Sequence, residues 1–122
     1  MNIRVIDTGS VKIAVIKSDT CIITDGQSAL DLAAAIHYEH GARHIVIPKS
    51  AICADFFKLS TGVAGEVAQK FVNYGLHVAI VGDFSLYPSK PLQDYMYECN
   101  KGRHINFVTT DTEAIQKLKG AL

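Results

Sequence analysis

Short β-branched runs alternate along this chain with stretches whose apolar residues recur every three or four positions. Ile3 to Ile6 and Val11 to Ile16 are divided by Asp7-Thr8-Gly9-Ser10, a glycine among small polar residues, so the chain is expected to open with a β-hairpin. Cys21-Ile22-Ile23 extends the second strand or forms a stub. Thr24 and Gln27 have capping-box spacing, and Ala29, Leu32, Ala33 and Ile36 then repeat at helical intervals up to Gly41. Ile45-Val46-Ile47 reads as a buried strand closed by Pro48. Ala54 to Leu59 and Gly62 to Tyr74 read as helical, interrupted at Ser60-Thr61-Gly62, with Val63, Val67, Phe71 and Tyr74 as the inward stripe. Val78 to Val81 is a further strand. Ser89 caps a helix running to Cys99, with Pro91 in its first turn, Leu92, Tyr95, Met96 and Cys99 inward, and Asn100 and Gly102 at its end. Ile105 to Val108 is the last strand, and Thr110 with Glu113 forms a second capping box before a helix presenting Ala114, Ile115, Leu118 and Leu122.

Strands and helices alternate from residue 24 onward, which calls for right-handed crossovers and parallel strands. The expected fold is therefore a single α/β domain over 1–122: a mixed, mostly parallel five-stranded sheet with an N-terminal hairpin and about four helices. A length of 122 residues, 48% hydrophobic and without Trp, suits one domain that builds its core without staples. Charge changes the functional picture more than size does. Six basic and six acidic residues lie in each half of the chain, which removes the basic surplus that dedicated nucleic-acid or anionic-membrane binding relies on. The first residues read as a strand and not as an export signal, and the longest apolar run, Leu32 to Ile36, falls far short of a membrane span. A cytoplasmic location is expected. Cys21, Cys53 and Cys99 are odd in number and form no C-x-x-C pair, so reduced, buried thiols and no metal are expected.

Gly41-Ala42-Arg43-His44, Gly75-Leu76-His77 and Gly102-Arg103-His104 repeat one junction, with Gly at a helix end and His at a strand start. In parallel strands the three imidazoles fall at the N-terminal rim, away from the rim where open α/β sheets hold ligands. Arg43, Lys101 and Arg103 there suit helix C-termini. His37 and His40 are three apart on a helix, and no third ligand follows at a diagnostic distance, so they read as a solvated face. The opposite rim receives Thr24-Asp25, Pro48-Lys49-Ser50, Gly82-Asp83-Phe84-Ser85 and Thr109-Thr110-Asp111. Lys49, Ser50, Asp83 and Ser85 are the candidate binding residues, with Phe84 and Tyr87 on a long connection placed to cover a ligand. Ser60 and Thr61, before a helix with early glycines Gly62 and Gly65, form the other candidate: a phosphorylatable start to that helix, or a plain cap whose glycines allow close packing on the sheet or on a second subunit. No dinucleotide-binding glycine signature, Walker loop, nucleophile elbow or Cys/His dyad spacing is present, so no catalytic residue and no cofactor is expected.

Phe56-Phe57-Lys58-Leu59-Ser60-Thr61-Gly62-Val63-Ala64-Gly65-Glu66, Ala79-Ile80-Val81-Gly82-Asp83-Phe84-Ser85 and the stretch Tyr97 to Val108 resemble the phrases of a small bacterial family, domain of unknown function 4180, over nearly the whole chain. That resemblance implies no reaction. More loosely, the order hairpin, helix, strand, helix, strand, helix, strand, helix is similar to that of STAS domains of the anti-sigma-factor antagonist type, which are regulatory modules. Their phosphorylatable Ser lies in an Asp-Ser-Ser-Gly-Leu-like phrase at the start of the second helix, the place taken here by Ser60-Thr61-Gly62-Val63, with Leu59 where that phrase is acidic. The leading expectation is a non-catalytic regulatory or protein-interaction module with a protein partner and Ser60 and Thr61 as switch residues. The alternatives are a small-ligand binder or enzyme using Lys49, Asp83 and Ser85, and a homodimer pairing through the surface near Gly62 and Gly65.

Overall fold

The computed structural model describes residues 1–120. Leu122, expected on the inner face of the last helix, lies outside the described residues. The chain forms β1 (Asn2–Asp7), β2 (Lys12–Lys17), α1 (Gly26–His40), β3 (His44–Pro48), α2 (Val63–Asn73), β4 (His77–Val81), α3 (Lys90–Lys101), β5 (Ile105–Val108) and α4 (Asp111–Lys119). The five strands lie side by side in chain order, β1 antiparallel to β2 and every later pair parallel. This is the mixed α/β sheet with a leading hairpin that the hydrophobic pattern predicts.

Strand order decides where the helices go. Crossovers of one hand that always step the same way across a sheet put their helices on the same face. Side chains of α1, α2 and α3 accordingly join Ala14, Ile16, Ile45, Ile47, Val78, Ile80, Ile105 and Phe107 in one core. α4 follows the last strand, is bound by no crossover, and covers the alternate residues Ile13, Val15, Val46, Ala79 and Val108 with Ala114 and Leu118. Both faces of the inner strands are therefore buried, which is why their sequences read as unbroken apolar runs. On α2 the buried residues Val67 and Phe71 contribute about 1.5–3 kcal/mol each by leaving water.

Four local expectations are corrected. The cap of α1 is Asp25, one residue later than Thr24: its carboxylate accepts the Ser28 N–H at 2.8 Å while Ser28 Oγ accepts the Asp25 N–H at 3.1 Å. A carboxylate serves better than a hydroxyl at the positive end of a helix, and Gln27 is left to bond Asp31 instead. Ala54 to Leu59, expected to be helical, forms no α-helix: the connection after β3 holds three short 3-10 turns, Lys49–Ala51, Ala54–Phe57 and Leu59–Thr61. Phe56 and Phe57 are both buried there, and Gly62, with φ of 79°, turns the chain into α2 through a conformation only glycine adopts freely. Thr110 does cap α4, accepting the Glu113 N–H, but the Glu113 carboxylate turns to the Thr109 hydroxyl and does not close a box.

Asn100, expected to end α3, lies inside it and does something else. Its amide oxygen accepts the Phe107 N–H at 2.7 Å and its amide nitrogen donates to the Phe107 carbonyl at 3.3 Å. The side chain thus takes the place of a neighbouring strand along the outer edge of β5, which blunts an edge open to association. Asn100→Ala is expected to leave two backbone groups unpaired and to cost about 1–3 kcal/mol in denaturant unfolding, with light scattering showing more association than for the native chain at the same concentration.

Candidate functional site

Lys49, Asp83 and Ser85 do meet at the C-terminal rim. Lys49 follows β3 in the first 3-10 turn and crosses to β4, its ammonium 3.5 Å from the Asp83 carbonyl and 4.6 Å from the centre of the Tyr87 ring. Gly82 makes this approach feasible, since a Cβ there would lie 2.7 Å from that of Lys49. Asp83 Oδ1 accepts both the Ser85 hydroxyl, at 2.6 Å, and the Ser85 N–H, at 3.0 Å. Those two hydrogen bonds, with a smaller push from Lys49, hold the Asp83 carboxyl below the usual range. An ionised carboxylate closing its own turn is a structural arrangement more than a poised base.

The other rim residues stay apart from this group. Ser50 donates to the Ser18 carbonyl at 2.7 Å, Asp25 caps α1, and Asp111 pairs with Lys17. Phe84 and Tyr87 do not arch over open space. Phe84 packs edge-on against Phe107 at 5.3 Å, and Tyr87 stacks on Phe57 at 5.0 Å. Ligands in open α/β sheets enter where adjacent connections leave for opposite faces. Here that place lies between β4 and β5, whose following helices cover opposite faces, and Phe84 packs there on the Phe107 ring of β5.

The approach to α2 separates the two hydroxyls read together in the sequence. Thr61 Oγ1 bonds to the Asp55 and Lys58 carbonyls at 2.7 and 2.8 Å and accepts the Val63 N–H at 3.2 Å, so it ties the 3-10 turns to the first turn of α2. Ser60 is exposed, and among the described residues its hydroxyl meets no protein group. Gly62, not Ser60 or Thr61, occupies the cap position. Gly62 and Gly65 have nothing within 4 Å of where a Cβ would stand, so within this chain they do not serve close packing. Glu66, on the next turn, accepts the Gly26 N–H at 3.0 Å and so caps α1 from the neighbouring helix, a contact between residues 40 apart that no local spacing signals.

At the N-terminal rim the three histidines stand in a row, as parallel strands require. His77 stacks between His44, at 4.7 Å, and His104, at 5.3 Å. Arg43 donates to the Tyr74 carbonyl at the end of α2, the place expected of a cation. His37 lies 3.5 Å from the Tyr74 hydroxyl and His40 sits beside Glu39, each ring occupied separately. A polar depression of about 400 Å³ beside Lys12, Arg43 and His44 and an apolar one of about 300 Å³ between α2 and α3, beside Val72, Tyr95 and Cys99, flank this rim. A third, of about 330 Å³, lies where β1 begins and β2 ends. None of the three is lined by Lys49, Asp83 or Ser85.

The cysteines depart from expectation: Cys21 is exposed and Cys53 and Cys99 are half-buried. Ile23 pairs in parallel with Ile52, continuing the sheet beyond β2 and β3, and the Cys21 and Cys53 thiols come near enough to interact. Partial desolvation raises the Cys21 thiol pKa, and the neighbouring Cys53 raises it further.

Burial lowers the His77 pKa, and His44, His104 and Arg103 push the same way against the Arg103 carbonyl that accepts its Nδ1–H at 2.7 Å. The folded chain thus takes up this proton less readily than the unfolded one. Stability is full above the ordinary imidazole value of 6.5 and falls as the pH drops from there toward the lowered folded value. The urea midpoint is expected to fall between about pH 7.5 and about pH 5.5, and His77→Asn, which keeps a donor for the Arg103 carbonyl, to flatten that fall.

The model of a family described as Domain of unknown function (DUF4180) matches residues 8–118. No curated protein and no solved structure matches the chain. With the match running from the turn of the hairpin to the last turn of α4, the chain belongs to the family of unknown function DUF4180.

Proposed function

We propose that this protein is a non-catalytic regulatory or protein-interaction module of STAS-like architecture, working in the cytoplasm, with the turn before α2 as its contact surface. The observation that carries this is the free, exposed Ser60 hydroxyl on a turn whose neighbouring glycines leave backbone uncovered. A phosphate on Ser60 would add about two negative charges beside Lys58 and the positive end of α2, enough to change which protein surface docks on a chain of zero net charge. Thr61 supports the turn instead, because a phosphate on it would face the Asp55 and Lys58 carbonyls that its hydroxyl now bonds.

Ligand binding or catalysis by Lys49, Asp83 and Ser85 has their convergence in its favour. Against it stand the turn that consumes Asp83 and Ser85 and the aromatic ring that holds Lys49. A homodimer through Gly62 and Gly65 uses the same surface as the proposed partner, and light scattering at high concentration separates the two.

Thr61→Ala is expected to lower stability by about 1–2 kcal/mol and Ser60→Ala to leave it within about 0.5 kcal/mol. Intact-mass analysis of protein from its native host, with and without phosphatase, is expected to show a phosphorylated fraction that maps to Ser60. Absence of that fraction under every growth condition, together with an unchanged set of captured partners for Ser60→Asp, refutes the switch.

A further inference from the structure

We propose that Cys21 and Cys53 form a dithiol that low-molecular-weight disulfides oxidise to an intramolecular disulfide, clamping the β2–α1 connection to the turns between β3 and α2. The pairing is built by backbone. The Ile22 and Ile23 N–H groups both donate to the Ala51 carbonyl, at 2.8 and 3.0 Å, and the Cys53 N–H donates back to the Ile23 carbonyl at 2.9 Å. The sulfurs converge on the same short segment. Cys21 Sγ lies 3.4 Å from the Ile23 carbonyl, the one that also accepts the Cys53 N–H, and Cys53 Sγ lies 3.5 Å from the next carbonyl, that of Thr24. The Cys21 and Cys53 thiols are near enough to interact with each other, whereas Cys99 is on α3 beside Tyr95.

The chemistry balances by thiol exchange. The Cys21 thiolate, on the exposed residue, attacks one sulfur of a disulfide such as glutathione disulfide, forming a mixed disulfide and releasing one thiol. The Cys53 thiolate then attacks the Cys21 sulfur and releases the second. Two protein thiols become one disulfide, one small disulfide becomes two small thiols, and the protons pass from the former to the latter. The clamp would sit between the Asp25 cap of α1 and the 3-10 turns that end at Thr61. It does not depend on phosphorylation of Ser60.

Trypsin places the three thiols on separate peptides, since cleavage after Lys17, Arg43, Lys49, Lys58, Lys70 and Lys101 leaves Cys21 in 18–43, Cys53 in 50–58 and Cys99 in 71–101. The full chain is equilibrated in glutathione buffers of graded oxidised-to-reduced ratio, quenched with an alkylating agent and mapped by mass spectrometry. Peptides 18–43 and 50–58 are expected to appear joined, in monomeric protein, with a single transition, while Cys99 stays alkylated. Cys53→Ser is expected to halt at a mixed disulfide of Cys21 with glutathione, and Cys99→Ser to behave as the native chain. Full alkylation of Cys21 and Cys53 at every ratio overturns the proposal. So does separate glutathionylation of the two without joining, or a crosslink that involves Cys99 or a second molecule.

Discussion

A strand order that never reverses is the constraint from which the rest of this molecule follows. Each parallel crossover moves one place further from β1, so the hand of the connection sends α1, α2 and α3 to one face and leaves α4 alone on the other. Had the order reversed at some strand, two neighbouring connections would have parted around a crevice in the middle of the sheet. Here connections part only at the far edge, between β4 and β5, where an aromatic cluster of Phe57, Phe84, Tyr87 and Phe107 is packed. Reactive side chains can be delivered to the C-terminal rim by such a fold without being delivered to a cavity.

Lys49, Asp83 and Ser85 show the consequence. Alternation of apolar runs and helical repeats was sufficient to bring them together in expectation, because parallel strands put every strand end on the same rim. What each group does after arriving depends on contacts a few ångströms long: a hydroxyl that reaches back to Asp83, a glycine that lets Lys49 cross, an aromatic ring that takes the ammonium. These are settled by tertiary packing of side chains far apart in sequence, and no local spacing encodes them.

The same division runs through the elements. The hairpin, all five strands, α1, α3, α4 and most of α2 were legible, since each rests on a periodicity of two or of three to four and on a cap or turn within reach. The stretch from Ala54 to Leu59 reads as helical because its apolar residues, Phe56, Phe57 and Leu59, fit a helix as well as the string of tight turns that the structure shows. The α1 cap slipped by one residue because Thr24 with Gln27 and Asp25 with Ser28 share the same spacing, and only the carboxylate's interaction with the helix end chooses between them. Asn100, Glu66 and the Cys21 and Cys53 pair were invisible for a common reason: each acts on a partner that the fold, not the sequence neighbourhood, supplies.

The histidine row shows how a constellation that suggests chemistry can be consumed by architecture. His77 and His104 donate crosswise, His77 to the Arg103 carbonyl just before β5 and His104 to the Leu76 carbonyl just before β4. Each imidazole thereby satisfies the carbonyl at the entrance of its neighbour's strand, a group left without a ladder partner because pairing has not yet begun. Only parallel strands in register can do this, since the residue before one His must lie level with the ring of the other. The donation fixes the proton on Nδ1 of both rings, which stack nearly parallel with centroids 5.3 Å apart. A repeated Gly and His junction therefore reports strand register in this chain.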